Sequence, residues 1–152
     1  TSLVLPTHPS SLVERVEKDT VFHESDLISI HVPLTPRTRN LISAREISCM
    51  KPGTMLINTS RGGIINEQDL YEVMHSGHLS GVAIDVFEKE PYDGPLNNIE
   101  RCLLTAHMGS MSVDCRNRME IEATEEAVRF LTNQSLESVV PEEEYVVQRE
   151  GL

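Results

Sequence analysis

At 152 residues the chain has the length of a single domain, and its 39% hydrophobic content is enough to bury a core. A formal net charge of -11 argues against a nucleic acid or an anionic membrane as partner, since either needs a basic surface. A bound dinucleotide stays compatible with that charge, because backbone amides and one or two local cations suffice to hold phosphate.

In chain order, Leu3-Val4-Leu5 reads as a short strand closed by Pro6 and Pro9. Ser10 or Ser11 is placed to cap a helix that takes in Leu12, Val13 and Val16, and a second helical turn is expected around Asp19 to His23. Asp26 to Pro33 is a strand with a proline stop. A polar loop, Thr35 to Asn40, leads to a helix over Ala44 to Met50 capped by Ser43. Pro52-Gly53 breaks the chain ahead of a strand, Thr54 to Thr59, whose run Met55-Leu56-Ile57 is too short for a helix and is taken as buried. The run stops at Asn58, Thr59 and Ser60, and Arg61 follows. Gly62-Gly63 then allow a tight turn with positive φ.

Asn66 reads as the N-cap of the next helix, with Asp69 in the position of a capping acid and Gly77 as terminator. Gly81 to Phe87 is a strand closed by the acidic loop Glu88-Lys89-Glu90-Pro91. The last strand, Cys102 to Ala106, ends at His107 and Gly109. Ser110 or Ser112 caps a final helix with Cys115, Met119, Ala123, Ala127 and Leu131 along an apolar stripe. Alternation of strands and helices predicts an α/β fold, a parallel sheet with flanking helices joined by right-handed crossovers. From Ser135 onward the chain reads as an acidic extension.

Three ionisable residues, Arg61, Glu90 and His107, fall just past three successive strand ends. In a parallel sheet they share the carboxyl edge, where open α/β sheets bind ligands. Taken singly, each reads as well as a solvated loop residue or an ordinary strand-end histidine; the shared edge sets them apart. A histidine to move a proton, a carboxylate to hold the imidazole and an arginine to clamp a substrate carboxylate suit an anionic carbonyl or alcohol substrate. Asp85, inside an apolar strand, needs a partner from backbone, side chain or ligand.

His8, His23, His75 and His78 are assigned to the surface, and His31 to packing. Cys49, Cys102 and Cys115 are odd in number and lack metal-ligand spacing, which implies reduced thiols, a cytoplasmic protein and no metal site. Core packing is expected for Cys102 and Cys115. No segment reads as a membrane span or a signal peptide.

Residues 26 to 133 resemble the D-isomer-specific 2-hydroxyacid dehydrogenases, especially their phosphoglycerate dehydrogenase-like branch. The likeness rests on His31-Val-Pro-Leu-Thr35 with Thr38, on Met50-Lys-Pro-Gly-Thr-Met-Leu-Ile-Asn-Thr-Ser-Arg-Gly-Gly63, on Gly81-Val-Ala-Ile-Asp-Val-Phe-Glu-Lys-Glu-Pro91, and on Thr105-Ala-His-Met-Gly-Ser110. The resemblance implies a Rossmann-like fold and an oxidoreductase that moves a hydride between NAD(H) and a small D-2-hydroxy acid or 2-oxo acid, with NADP left open. It implies that Arg61 binds the substrate, that His107 is the general acid/base and that Glu90 pairs with it. It also implies that Val32, Pro33, Thr59, Ser60, Arg61, Asp85, His107, Met108, Gly109 and Ser110 lie along the cofactor.

Two departures from the family pattern stand out. Ala106 stands where the family usually has a proline before the histidine, a change expected to loosen the loop but to leave the imidazole in place, and no glycine precedes Gly53, so the G-x-G-x-x-G turn that cradles pyrophosphate is missing. Residues 1–133 are therefore expected to be a partial NAD-binding domain without its glycine-rich first βα unit. Residues 134–152 are expected to be a tail that returns to a substrate domain absent from the chain. Alone, such a chain is expected to bind NAD weakly and to pair as a homodimer over its exposed sheet. The alternative is a non-catalytic NAD(H)-binding or oligomerisation module akin to the dehydrogenase-like co-repressors.

Overall fold

The computed structural model describes residues 14–142 and 145. The expected strand at Leu3 to Leu5, its serine caps and His8 lie outside them, as do Leu12 and Val13. Residues 14–17 precede the first helix and do not extend it, so Val16 is not helical. Helix α1, Lys18–Glu24, follows and buries Phe22.

Among the described residues four strands, β1 (Leu27–Ile30), β2 (Met55–Asn58), β3 (Gly81–Ile84) and β4 (Cys102–Leu104), form one parallel sheet in that order. Ile30 lies beside Asn58, Asn58 beside Ile84, and Ile84 beside Leu104. The carboxyl ends are therefore flush, and the four loops that follow them leave from one edge.

Side chains alternate across a strand. Ile28, Ile30, Leu56, Val82 and Ile84 face a covered side and join Ile47, Leu70, Met74 and Leu79 in the core. Each fully buried side chain of this kind contributes roughly 1.5–3 kcal/mol. Among the described residues nothing covers the opposite face: Met55 is 47% exposed and Leu103 65%. The run Met55-Leu56-Ile57 is thus wholly buried at Leu56 alone, because the described helices cover a single face, whereas parallel sheets ordinarily have both faces covered.

Helix α2, Ala44–Ser48, starts at a capping box in which Glu46 Oε2 accepts the Ser43 N–H at 3.1 Å. Helix α3, Glu67–Ser76, starts where Asn66 Oδ1 accepts the Asp69 N–H at 3.0 Å and ends at Gly77 with φ +82°. Asp69 does not close a capping box on its own helix. Its Oδ2 accepts the Ala44 N–H at 2.7 Å, so it caps α2 across the helix pair.

A 3₁₀ turn, Pro95–Asn98, buries Leu96 ahead of β4. Helix α4, Val113–Leu131, begins where Ser112 Oγ accepts the Cys115 N–H at 3.2 Å. It ends at Asn133, whose φ is +57°, with the Gln134 N–H donating to Arg129 O at 2.8 Å. The helix buries no residue, and Leu131 is 77% exposed. Cys115 is half-buried and touches Met119 one turn along, so it is not core; the apolar stripe exists, but no described element packs on it. Cys102 is also half-buried and packs against the core. All three cysteines are free. No helix among the described residues is long and apolar enough to cross a membrane.

Candidate active site

The site is built from the loops that leave β2, β3 and β4. Asn58, the last residue of β2, is only 2% exposed and organises the first loop. Its Oδ1 accepts the Ser60 N–H (3.1 Å) and hydroxyl (3.0 Å), and its amide nitrogen donates to Arg61 O at 3.0 Å. Arg61 itself is exposed, and its Nη1 donates to Ser60 O at 2.6 Å. The two glycines that follow do different work. Gly63 takes φ +79°, but Gly62 does not have positive φ; a Cβ there would sit 2.0 Å from Phe87 O, so only glycine lets this turn press against the loop after β3.

That second loop carries Glu90. Oε1 accepts the Phe87 N–H at 3.1 Å, and Oε2 lies 3.0 Å from Nδ1 of His107. An ionised carboxylate only accepts, so Nδ1 carries the shared proton. The Phe87 amide first, and then His107, hold the Glu90 carboxyl below the usual carboxylate range, against slight desolvation. Asp85 is also held low. Desolvation opposes this, but hydrogen bonds from Thr105 and Met108 and the charge of His107 outweigh it. Its partners are therefore side chain and backbone together. His107 has φ +53°, a left-handed conformation uncommon outside glycine.

Arg61, Glu90 and His107 line one cleft of about 410 Å³. Leu34 and Phe87 supply its apolar part, and a second charged pair, Arg39 and Glu88, joins them with Nη1 and Oε1 3.2 Å apart. Val32, Pro33, Thr59, Ser60, Asp85, Met108, Gly109 and Ser110 do not line that cleft; they lie on the loops that follow the four strands. A larger groove, about 680 Å³, runs along α4 beside Ile121 and Val128 and shares none of these residues. Among the described residues no group of three or more His, Cys, Asp or Glu is placed to hold a metal.

Sequence reasoning missed Arg39 and Glu88. Arg39 sits in a turn that docks on the site through Asn40 N–H to Gly63 O, 2.8 Å, a contact with no local signal. Asn58 did leave one, being polar two residues after the buried Leu56 and so on the same strand face. Two histidines differ from expectation. His31 is exposed and meets Ser29 Oγ at 2.8 Å, because its strand position faces the bare side. His78 is half-buried, with Nε2 3.1 Å from Ile47 O and 3.0 Å from Met50 O, where it satisfies carbonyls at the end of α2.

Comparison with known proteins bears on this arrangement. Residues 6–109 match the model of the D-isomer specific 2-hydroxyacid dehydrogenase NAD binding domain. A hydroxypyruvate reductase of Thermotoga maritima is 43% identical over 126 residues, covering 78% of this chain and 40% of that protein. D-3-phosphoglycerate dehydrogenase of Escherichia coli is 38% identical over 122 residues, 76% of this chain and 30% of the other. A crystal structure of a glyoxylate reductase from Paecilomyes thermophila superposes with a TM-score of 0.79 at 32% identity, covering 84% of this chain and 39% of that one. The chain thus spans two-fifths or less of the length of these relatives.

Proposed function

Because the chain belongs to the D-isomer specific 2-hydroxyacid dehydrogenases, in the part that forms their NAD-binding domain, we propose that it carries the proton-transfer and substrate-clamping residues of such an enzyme. The reaction is reduction of a small 2-oxo acid to the D-2-hydroxy acid, or its reverse. The observation that carries this reading is the His107–Glu90 hydrogen bond, 3.0 Å long, in a cleft that Arg61 also lines.

In this mechanism the Arg61 guanidinium takes the two oxygens of the substrate carboxylate in parallel hydrogen bonds, which fixes the 2-oxo carbon beside the imidazole. His107 gives its Nε2 proton to the carbonyl oxygen as that oxygen gains charge, and takes it back in the oxidative direction. Glu90 keeps Nδ1 protonated and stabilises the imidazolium. NAD(H), when bound, supplies or accepts the hydride. The residues present suit its nicotinamide end: Thr59, Ser60 and residues 107 to 110 offer hydroxyl and backbone groups, and Asp85 Oδ2 has no hydrogen-bond partner among the described residues. Val32 and Pro33 would flank the same cofactor cleft. The sequence holds no G-x-G-x-x-G turn for the pyrophosphate, so the chain by itself binds NADH weakly.

Division at residue 133 fits the left-handed Asn133 that ends α4, with residues 134–152 as the stretch that leads on to a substrate domain. Free cysteines fit a cytoplasmic protein, and the bare sheet face fits homodimer formation, which sedimentation velocity tests.

The deciding experiment is NADH oxidation by the full-length enzyme carrying this chain, with a panel of small 2-oxo acids. His107→Ala is expected to lower kcat by about 10²- to 10⁴-fold. Activity indifferent to that substitution removes His107 from the mechanism and favours a non-catalytic NAD(H)-binding module. Calorimetric titration of NADH into the chain is expected to show binding weaker than micromolar; micromolar binding overturns the reading of the missing cradle.

A further inference from the structure

Asp85 is the first residue after β3, and both its backbone and its side chain reach the loop that carries His107. Its carbonyl accepts the His107 N–H at 2.8 Å. Its Oδ1 accepts the Thr105 hydroxyl at 2.5 Å and the Met108 N–H at 3.0 Å. One residue therefore grips the loop two positions before the histidine, at the histidine, and one position after it.

The grip has something to hold. His107 stands at φ +53°, where an L side chain costs about 1–2 kcal/mol and persists only if its surroundings over-determine it. Ala106, just before it, has no ring to restrict the backbone. Among the described residues Glu90 reaches His107 through the imidazole, whereas Asp85 is the residue that holds the histidine's own N–H.

We propose that Asp85 is a positioning residue, whose carboxylate oxygen clamps Thr105 and Met108 so that His107 is kept in its left-handed conformation with Nδ1 on Glu90. The functional weight of this inference rests on the reading of His107 as the proton-transfer group. The clamp acts by accepting hydrogen bonds, and an asparagine oxygen can accept the same two donors, so charge is not required for it. Alanine leaves both donors to water, with no side chain to tie them together.

Backbone NMR of the 152-residue chain, isotope-labelled, tests the clamp without any cofactor. In Asp85→Ala the left-handed Cα and Cβ shifts of His107 are expected to disappear, and the Met108 amide to exchange about tenfold faster. In Asp85→Asn both signatures are expected to survive. Amides of Leu56 and Val82 report whether the core is intact. Left-handed shifts and Met108 protection that persist in a folded Asp85→Ala chain overturn the proposal. If Asp85→Ala does not fold, Thr105→Val decides: faster Met108 exchange supports the clamp, and unchanged exchange overturns it.

Kinetics of the full-length enzyme separate this proposal from the functional reading. Under the clamp, Asp85→Ala and Thr105→Val both lower kcat several-fold to about tenfold with little change in KM for the 2-oxo acid. A clamp seen by NMR together with activity indifferent to His107→Ala keeps the proposal and removes the mechanism it was placed in.

Discussion

Glu90 joins two loops at once, since Oε2 meets Nδ1 of His107 at 3.0 Å while its other oxygen accepts the Phe87 N–H at 3.1 Å. These bonds favour the ionised carboxylate, and its folded pKa is lowered. Between the folded and unfolded values the unfolded chain binds the extra proton, so stability is present above the ordinary carboxylate range and is lost as pH falls through the depressed folded value. Urea unfolding at about pH 6 and about pH 3 is expected to show a larger loss for the native chain than for Glu90→Gln. The difference should be under about 1 kcal/mol, because the side chain is more than a third exposed. An equal acid loss in both proteins would mean that the pair contributes nothing to stability.

Gly62→Ala and Gly63→Ala are expected to differ sharply. At Gly62 a Cβ meets the backbone of Phe87 at 2.0 Å and of Glu88 at 2.6 Å, neither of which can move without shifting the loop that bears Glu90. A loss of about 3 kcal/mol or more is expected in urea titration. At Gly63 the cost is the positive φ, about 1–2 kcal/mol, with only the Arg39 and Glu88 side chains 3.2 Å away to displace. The reverse order would show that the turn repacks.

Asn58→Ala removes three hydrogen bonds that shape residues 58 to 61 from a buried position. Stability is expected to fall by about 2–3 kcal/mol. In the full-length enzyme KM for the 2-oxo acid is expected to rise more than kcat falls, since the carbonyl of Arg61 loses its anchor. Steady-state kinetics check this, and an unchanged KM would separate the Asn58 network from substrate binding.

Asp69→Ala is expected to loosen α2 and not its own helix. The lost partner is the Ala44 N–H, and the cost should be about 0.5–2 kcal/mol. Hydrogen exchange is expected to quicken at residues 44 to 48 while α3 stays protected; Asn66→Ala should give the opposite pattern.

The order of elements was legible because each carries its own local chemistry. Met55 to Asn58 alternates, Ser43-x-x-Glu46 closes a capping box, and Gly77 ends α3 as a left-handed residue. A polar or charged residue just past each apolar run told which side chains would gather at the sheet edge. The partner choices were not legible. Asp69 looks like a local capping acid, yet its oxygen serves a helix 25 residues earlier, and Arg39 enters the cleft through a turn with no marker in its own neighbourhood.

The amino-acid order by itself determined the α/β alternation, the family and the three residues at the strand ends, since these follow from periodicity, turn chemistry and contiguous motifs. Only the tertiary structure decided that Gly62 serves close approach and not positive φ, that no described element covers the stripe on α4, and that Asp85 binds both sides of His107. The first and the last of those depend on which two loops leave neighbouring strands in register. A hydrogen bond or a clash across that gap is set by distance in space, and the intervening sequence carries no trace of it.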